Sequence, residues 1–137
     1  MRVVPELLCS DIEATKHFYV GLLGFETKHE RPEERFAYFT REGVDLMCEE
    51  IHGPGRRWHT GDTALPLGRG VNFQWEVSDT LKLYDHVKKI SPESIYLELE
   101  EALYRVGDRI VIQNQFVVQD PDGYLFRFCG TPEPNGT

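Results

Sequence analysis

The chain has 137 residues, of which 40% are hydrophobic and 28% are charged, and this composition is typical of one soluble globular domain. Its formal net charge of −8 argues against a nucleic-acid partner, because contacts to phosphates need clustered Lys and Arg. No apolar run approaches the ~20 residues that span a bilayer, so we expect no membrane partner either.

The cysteines and the first residues indicate a compartment. Cys9, Cys48 and Cys129 are odd in number, far apart and embedded in apolar strand patterns. This usage is typical of buried thiols in a reduced protein. The chain contains no Cys-x-x-Cys pair, so we predict no structural zinc site. Because residues 1–5 also lack the features of a signal peptide, we expect a cytoplasmic protein.

The first half of the chain predicts one helix among short strands. Ser10 and Asp11 offer a helix N-cap, and Gly24 is placed as a C-cap glycine. Pro5 suggests that the first strand lies at an edge or carries a bulge. The predicted elements are a strand at 3–9, a helix at 12–23, a short strand at 25–29, a hairpin of strands at 35–40 and 44–49, and a linker at 51–69.

The same order of elements begins again at residue 70. Ser78 and Asp79 offer a second N-cap, and the apolar face of the helix that follows carries Leu83, Tyr84, Val87 and Ile90. The predicted strands of this half are 70–77, 95–99, 104–106 and 110–119, followed by a tight turn at 120–123, a last strand at 124–128 and a loose tail at 131–137.

The turn at 120–123 has a clear physical basis. Asp120 can bond the backbone ahead of it, Pro121 presets its own φ, and Gly123 accepts positive φ without steric cost. In the strand beyond the turn, Tyr124, Phe126 and Phe128 are predicted on one face, opposite Leu125 and Arg127.

The two halves match in order and spacing. The Ser-Asp caps at 10–11 and 78–79 are offset by 68 positions, and a Phe stands seven residues before a turn glycine at both 36–43 and 116–123. The chain is therefore predicted to be an α+β domain over residues 1–130, built from two βαβββ modules at about 1–50 and 70–130. We expect a curved mixed sheet with a concave groove and with the helices on its convex face.

The combination of residues 3–18, 70–79 and 115–128 resembles the vicinal-oxygen-chelate superfamily. That group contains glyoxalase I, ring-cleaving dioxygenases, fosfomycin-modifying enzymes and the bleomycin resistance proteins, so the fold alone does not decide between enzyme and binding protein. The resemblance implies metal ligands at two kinds of position. One is a His seven residues before the Asp that starts each helix, and the other is a carboxylate four residues after the turn glycine.

The residues at those four positions are poor metal ligands. They are Val4 and Asn72 before the helices, and Met47 and Arg127 after the turn glycines. Val4 has no lone pair, Met47 is soft, and Arg127 is a fixed cation that would repel a divalent ion. The histidines elsewhere fit no established metal spacing, and we therefore expect no metal cofactor and no catalytic residue.

Strand alternation identifies the neighbours that share a face with those positions. Glu6, Asp45, Glu49 and Glu76 would make that face acidic, with Arg127 as its cation. Nearby aromatic residues offer stacking surfaces for planar rings. The candidate ligand-binding residues are Glu6, Phe36, Tyr38, Asp45, Met47, Glu49, Trp58, Asn72, Gln74, Glu76, Tyr104 and Arg127.

Three functions stay open at this point. The resemblance to bleomycin resistance proteins implies a metal-free homodimer that sequesters a cationic glycopeptide antibiotic, or a similar small molecule, in grooves between paired modules. The second is a metal-dependent lyase, isomerase or dioxygenase of the same superfamily with unusual ligands. The third is a binding module for an unrelated small metabolite.

Overall fold

The secondary structure repeats one order of elements twice in the computed structural model, which describes residues 1–130. The helices are α1 (Ile12–Lys16), which continues as a π-helical segment at His17–Leu22, and α2 (Thr80–Ile90). The strands are β1 (Glu6–Cys9), β2 (Glu26–Arg31), β3 (Phe36–Arg41), β4 (Val44–Glu50), β5 (Asn72–Glu76), β6 (Ile95–Val106), β7 (Arg109–Gln119) and β8 (Leu125–Gly130).

Each module forms its own four-stranded mixed sheet. The strand order is β1-β4-β3-β2 in the first sheet and β5-β8-β7-β6 in the second. The pairs β1–β4 and β5–β8 are parallel, and the hairpins β2–β3, β3–β4, β6–β7 and β7–β8 are antiparallel. The prediction of an α+β fold with two βαβββ modules is therefore confirmed.

The chain divides into two compact units. The first comprises Met1–Arg69 together with Asp120–Tyr124, and the second comprises Gly70–Gln119 together with the chain from Leu125 onward. The stretch between β4 and β5 carries no helix or strand, and its first 19 residues belong to the first unit. The predicted tail at 131–137 lies outside the described residues.

Both helices begin at the predicted aspartates. Asp11 accepts hydrogen bonds from the backbone N–H groups of Glu13 and Ala14, and Asp79 accepts one from Lys82. Each side chain satisfies donors that the first turn of a helix leaves open. Gly24 has a φ of 80°, the left-handed conformation expected of a residue that follows a helix end.

One face of each sheet packs into an apolar core. In the first unit Tyr19, Phe39 and Leu46 are fully buried, and in the second Phe116, Phe126 and Phe128 are fully buried. The aromatic rings of the second core stack in series, with Phe116 5.4 Å from Phe128 and Trp75 4.6 Å from Phe126 between ring centroids. This agrees with the apolar side that strand alternation predicts.

Several predicted boundaries are wrong. The first strand begins at Glu6 rather than at residue 3, because Pro5 has no N–H and contributes only its carbonyl, which accepts from Met47. Residues 95–106 form one strand rather than two pieces, since the ladder of β7 pairs Glu100, Glu101 and Ala102 despite their weak strand preference.

Two other errors concern burial and the last strand. Val71 is 50% exposed and Ile90 is 60% exposed, because β5 begins after Val71 and Ile90 ends α2. Tyr124 lies outside β8, since its N–H bonds the Asp120 carboxylate and its hydroxyl donates to the carbonyl of Leu8. It therefore packs in the first unit rather than on the face of Phe126.

Candidate functional site

The 120–123 turn fixes the register of the last strand. Asp120 Oδ1 accepts from the N–H groups of Asp122, Gly123 and Tyr124 at 2.9, 3.0 and 3.0 Å, and its Oδ2 accepts from the Tyr19 hydroxyl at 2.6 Å. Gly123 adopts a φ of 111°. Because the turn cannot slip without breaking these bonds, the face on which each β8 side chain lies is fixed.

Arg127 lies on β8 directly opposite Gln74 of β5. Its Nη2 donates to Gln74 Oε1 at 2.5 Å, and its Nη1 donates to the Tyr104 hydroxyl at 3.4 Å. Tyr104 donates in turn to Gln115, and Gln115 donates to Glu100. This chain of amide, hydroxyl and guanidinium groups holds a positive charge at the position where the resemblance implies a carboxylate.

The donor set does not fit a divalent metal. Met47 and Glu6 are opposite partners on β4 and β1, Asn72 is opposite Leu125, and Val4 precedes β1. Within residues 1–130, no group of three or more His, Cys, Asp or Glu side chains is arranged to hold a metal ion. The guanidinium of Arg127 and the neighbouring amide of Gln74 also provide no anionic group that could bind a divalent metal.

Asp45 is the centre of a saturated network in the first unit. Its carboxylate accepts from the Tyr38 hydroxyl and the Thr40 hydroxyl, each at 2.7 Å, and from the guanidinium of Arg2. These bonds, led by those from Tyr38 and Thr40, lower the pKa of Asp45. The side chains of Tyr38 and Asp45 therefore hydrogen-bond each other across β3 and β4, and a ligand would have to compete with this bond.

A separate pocket of about 390 Å³ brings other predicted residues together in the first unit. Glu6 and Glu49 come from the adjacent strands β1 and β4, and Trp58 comes from the stretch that follows β4. The remaining lining residues are Arg31, Glu34, Gly55, Arg56 and Arg57. We call this cavity the Glu6–Glu49 pocket.

The two carboxyl groups of this pocket influence each other. Burial first, and then the charge and hydrogen bond of Glu6, raise the pKa of Glu49, whereas the nearby Arg57 lowers it. Arg57 Nη1 lies 3.4 Å from Glu49 Oε2, and the Glu49 side chain is 11% exposed. The Glu49 carboxyl therefore takes up a proton more readily than an exposed Glu does, and a positive charge beside it would stabilise its ionised form.

Arg57 holds the pocket wall in place. Its guanidinium donates to the backbone carbonyls of Glu50 at 2.6 Å, Pro54 at 2.8 Å and Glu34 at 2.7 Å. These bonds tie the stretch after β4 to the end of that strand and to Glu34, which precedes β3. Trp58 follows immediately and is 74% exposed, with the Arg56 guanidinium 5.2 Å from its ring centroid.

The Glu6–Glu49 pocket is balanced in charge, and it contains only two of the four carboxylates that were predicted to make one face acidic. Glu6, Glu34 and Glu49 line the pocket together with an equal number of arginines. Arg31 bonds Glu34 at 2.6 Å and Arg57 pairs with Glu49, so Glu6 and Arg56 are the residues whose charges are least compensated. Sequence alternation missed the arginines because two of them, Arg56 and Arg57, come from a stretch without strand periodicity. The sequence signal that could have identified Arg56 and Arg57 is the Arg-Arg-Trp run at 56–58 in an otherwise acidic chain.

The other candidate residues lie elsewhere. Phe36 is 4% exposed and lines a different cavity of about 370 Å³ beside α1, with Arg35 and Glu50. Met47 shares the face of Glu6 and is half-buried. The second unit holds the remaining predicted ligand-binding residues, which are Asn72, Gln74, Glu76, Tyr104 and Arg127. Trp58, predicted as a stacking residue, presents its indole to solvent.

The fold and these residues define a class of protein. The family model of the glyoxalase/bleomycin resistance protein/dioxygenase superfamily matches residues 3–128, and the chain belongs to this superfamily. No curated protein matches the chain. Within residues 1–130, neither helix has the length and apolar character needed to cross a membrane.

Three solved structures place the chain among its relatives. It is 48% identical to a superfamily member from Vibrio splendidus 12B01, with 96% of this chain and 98% of that chain covered and a TM-score of 0.46. TioX from Micromonospora sp. ML1 is 20% identical, with 96% and 99% covered and a TM-score of 0.70. A bleomycin resistance determinant encoded on the transposon Tn5 is 20% identical, with 96% and 98% covered and a TM-score of 0.62. At 20% identity the last two show a shared fold.

Proposed function

We propose that this chain is a metal-independent binding protein that sequesters a planar, cationic small molecule, with bleomycin-type glycopeptides as the first class to test. The observation that carries the proposal is the pairing of Glu6 and Glu49 beside an exposed indole, Trp58, in one pocket. A carboxyl pair attracts a cation, and an exposed indole offers a stacking surface for a planar ring.

The residues at the superfamily's metal positions support binding rather than metal-dependent chemistry. Arg127 carries a fixed positive charge and is bonded to Gln74 and Tyr104, so a divalent ion would be repelled from it. A metal-dependent lyase, isomerase or dioxygenase would need another donor set. Among residues 1–130 no cluster of anionic or imidazole ligands supplies one.

The pocket suggests how a ligand would be held. A cationic group would lie between Glu6 and Glu49, where burial and the neighbouring charge of Glu6 raise the pKa of Glu49. The attached planar ring would take the place of the Arg56 guanidinium over Trp58. Arg57, held by three carbonyls, would keep this wall fixed before the ligand arrives, which lowers the ordering cost of binding.

Calorimetry of metal-free bleomycin with the chelator-treated protein tests the proposal, and Trp fluorescence gives a second readout because Trp58 is exposed whereas Trp75 is buried. Saturable binding is expected. Glu49→Gln removes one of the two charges that face the cation and should raise Kd by about tenfold to a hundredfold, since a hydrogen bond to a charged group contributes about 1.5–3 kcal/mol. Trp58→Ala should weaken binding and abolish the fluorescence change.

Glu13→Gln is the matched control, because Glu13 is an exposed carboxylate of the same unit that lines the other cavity. The affinity of the Glu13→Gln variant for bleomycin should equal that of the unmodified protein. Absence of saturable heat up to high micromolar bleomycin, or equal affinity for Glu49→Gln, overturns the proposal for this ligand class. A stoichiometric divalent metal in protein purified without chelator overturns metal independence and points to the enzymes of the superfamily.

A further inference from the structure

Arg127 differs from the other half-buried cations of the chain. All 15 Lys and Arg residues lie within the described range, and four of their side chains are half-buried, namely Lys16, Arg41, Arg57 and Arg127. The first three each lie between 2.5 and 3.4 Å from a carboxylate oxygen. Within residues 1–130, Arg127 forms no such ion pair. It is therefore a partly desolvated charge without a counter-charge, which is unfavourable unless a partner is supplied.

The hydrogen bonds of the Arg127 guanidinium are incomplete as well. Its Nη2 is well bonded to Gln74 Oε1, but the bond from Nη1 to the Tyr104 hydroxyl is 3.4 Å long, beyond the usual range for such a bond. Its Nε is buried and has no hydrogen-bond partner among residues 1–130. A buried donor without an acceptor costs free energy, so this guanidinium calls for a further acceptor.

The groups beside Arg127 add donors. Gln74 lies opposite Arg127, and because its Oε1 accepts from the guanidinium, its amide N–H groups remain donors. Asn72 lies two residues earlier on the same face of β5, and its exposed amide supplies further N–H donors. A carboxylate is the planar acceptor that matches a planar guanidinium and its neighbouring amides.

Apolar side chains lie beside Arg127 on the same face of the sheet. Leu125 precedes it by two residues on β8, and Val117 lies opposite it on β7. Both side chains are half-buried, so each leaves apolar surface that a ligand could cover. The surroundings of Arg127 therefore suit a carboxylate that is attached to an apolar group.

Two acidic residues share this face without pairing with Arg127. Glu76 lies two residues beyond Gln74 on β5, and Glu100 lies opposite Gln115 on β6. Their charges repel a second negative charge on a ligand, which favours a singly charged carboxylate over a doubly charged phosphate.

We propose that Arg127 binds the carboxylate of a small molecule, with the amide groups of Gln74 and Asn72 as further donors. The apolar part of that molecule lies against Leu125 and Val117. On binding, the guanidinium gives up its long bond to the neighbouring hydroxyl, and its Nε gains the acceptor that it lacks. All of these residues belong to the second unit, so the inference does not depend on the ligand proposed for the first.

Nuclear magnetic resonance of the ¹⁵N-labelled full chain, titrated with sodium benzoate, tests the proposal against sodium chloride at equal ionic strength. The Nε–H resonance of Arg127 and the backbone N–H resonance of Gln74 should shift saturably, with a Kd on the order of 1 mM for so small a ligand. Acetate lacks the ring that covers Leu125 and Val117 and should bind about fivefold more weakly. Inorganic phosphate should also bind more weakly than benzoate, because it has no apolar part and can carry a second charge.

Three variants test the donors. Arg127→Gln should abolish the saturable shift of the Gln74 resonance. Arg127→Lys keeps the charge but not the planar fork, and should weaken binding by about threefold or more. Gln74→Glu places a carboxylate opposite Arg127. This variant should exclude benzoate and should also melt at a higher temperature, because the half-buried charge gains a permanent partner.

Arg109→Gln is the matched control, because Arg109 is an exposed arginine of the same unit that makes no ion pair within residues 1–130. Benzoate should bind this variant as tightly as it binds the unmodified protein. Far-UV circular dichroism should be the same for all four variants, which keeps any loss of binding separate from a loss of fold.

Several results would overturn the inference. One is the absence of any saturable shift at high millimolar benzoate, and another is unchanged affinity in Arg127→Gln or Gln74→Glu. Equal losses in Arg109→Gln and Arg127→Gln would mean that benzoate responds to overall charge rather than to this site. Tighter binding of phosphate than of benzoate would refute the assignment of a carboxylate.

Discussion

Replacing Asp120 by Ala would remove the acceptor around which the last turn is built. The carboxylate accepts three backbone N–H groups and the hydroxyl of Tyr19, and Asp120 is 6% exposed. Gly123 keeps a second bond to the Asp120 carbonyl at 3.1 Å, whereas the N–H of Tyr124 and the hydroxyl of Tyr19 lose this acceptor in surroundings that exclude water. The turn is therefore expected to become the weakest part of the first unit.

The size of the effect follows from these donors. Each buried donor left without its acceptor costs about 1–3 kcal/mol, and the loss is reduced because the buried carboxylate no longer has to be desolvated. A net loss of about 3 kcal/mol is expected for Asp120→Ala at pH 7. Asp120→Asn keeps an oxygen at the Oδ1 position and should cost about 1 kcal/mol.

The dependence on pH gives this prediction a second, independent check. Burial raises the pKa of Asp120 and outweighs the hydrogen bonds that lower it. The native state then binds the proton more tightly than the unfolded state, whose Asp titrates near pH 3.9. The contribution of Asp120 to stability therefore falls as the pH rises from about 3.9 through the raised native pKa, and this slope should be absent in Asp120→Asn.

Urea unfolding followed by circular dichroism at several pH values measures the free energy of unfolding and its dependence on pH. In a thermal scan the Asp120→Ala variant should melt roughly 10–15 °C below the unmodified protein. The comparison of Ala with Asn is the control, since both remove the charge and only Asn retains an acceptor. A loss below about 1 kcal/mol for Asp120→Ala, or equal losses for the two variants, would refute the role of these hydrogen bonds.

Two other substitutions test local features of the turns and of the first sheet. Gly123→Ala should cost more than about 3 kcal/mol, because its Cβ would lie 2.5 Å from Pro66 Cβ at a φ of 111°, whereas Gly43→Ala, at a φ of 82° with open space around it, should cost about 1 kcal/mol; equal losses in urea unfolding would contradict the steric argument. Asp45→Asn should cost about 1–2 kcal/mol at pH 7 through weakened bonds to Tyr38 and Thr40. Because the folded pKa of Asp45 is lowered, that difference should shrink as the pH falls below about 3.9, and a constant difference down to pH 2 would contradict it.

Local signals in the sequence predicted the elements that position the site. Asp11 and Asp79 start the helices, and the turn at 120–123 forms around Asp120 as its residue types indicate. These features depend on residues within about four positions of one another, so their cause is visible in a short stretch of sequence. The alternation of each strand likewise predicted which residues share the face of Glu6 and Arg127, because the period of a strand is fixed at two.

Other features depend on contacts between distant parts of the chain. β6 runs through Glu100 and Glu101 only because β7 supplies a ladder for them, and Tyr124 leaves the last strand because its hydroxyl reaches Leu8. Tertiary pairing of this kind overrides local preference, and no window of the sequence contains both partners.

The sequence by itself therefore determined the two βαβββ modules, the caps, the final turn and the place of Arg127 on its strand, since each follows from short-range stereochemistry and strand period. Only the tertiary structure decided that Glu6 and Glu49 share a pocket with Trp58, that Arg57 fixes its wall, and that Asp45 is already saturated. Those facts depend on how strands and an irregular stretch meet in space. Charge and hydrogen-bond partners act over a few ångströms in space, whatever the separation along the chain.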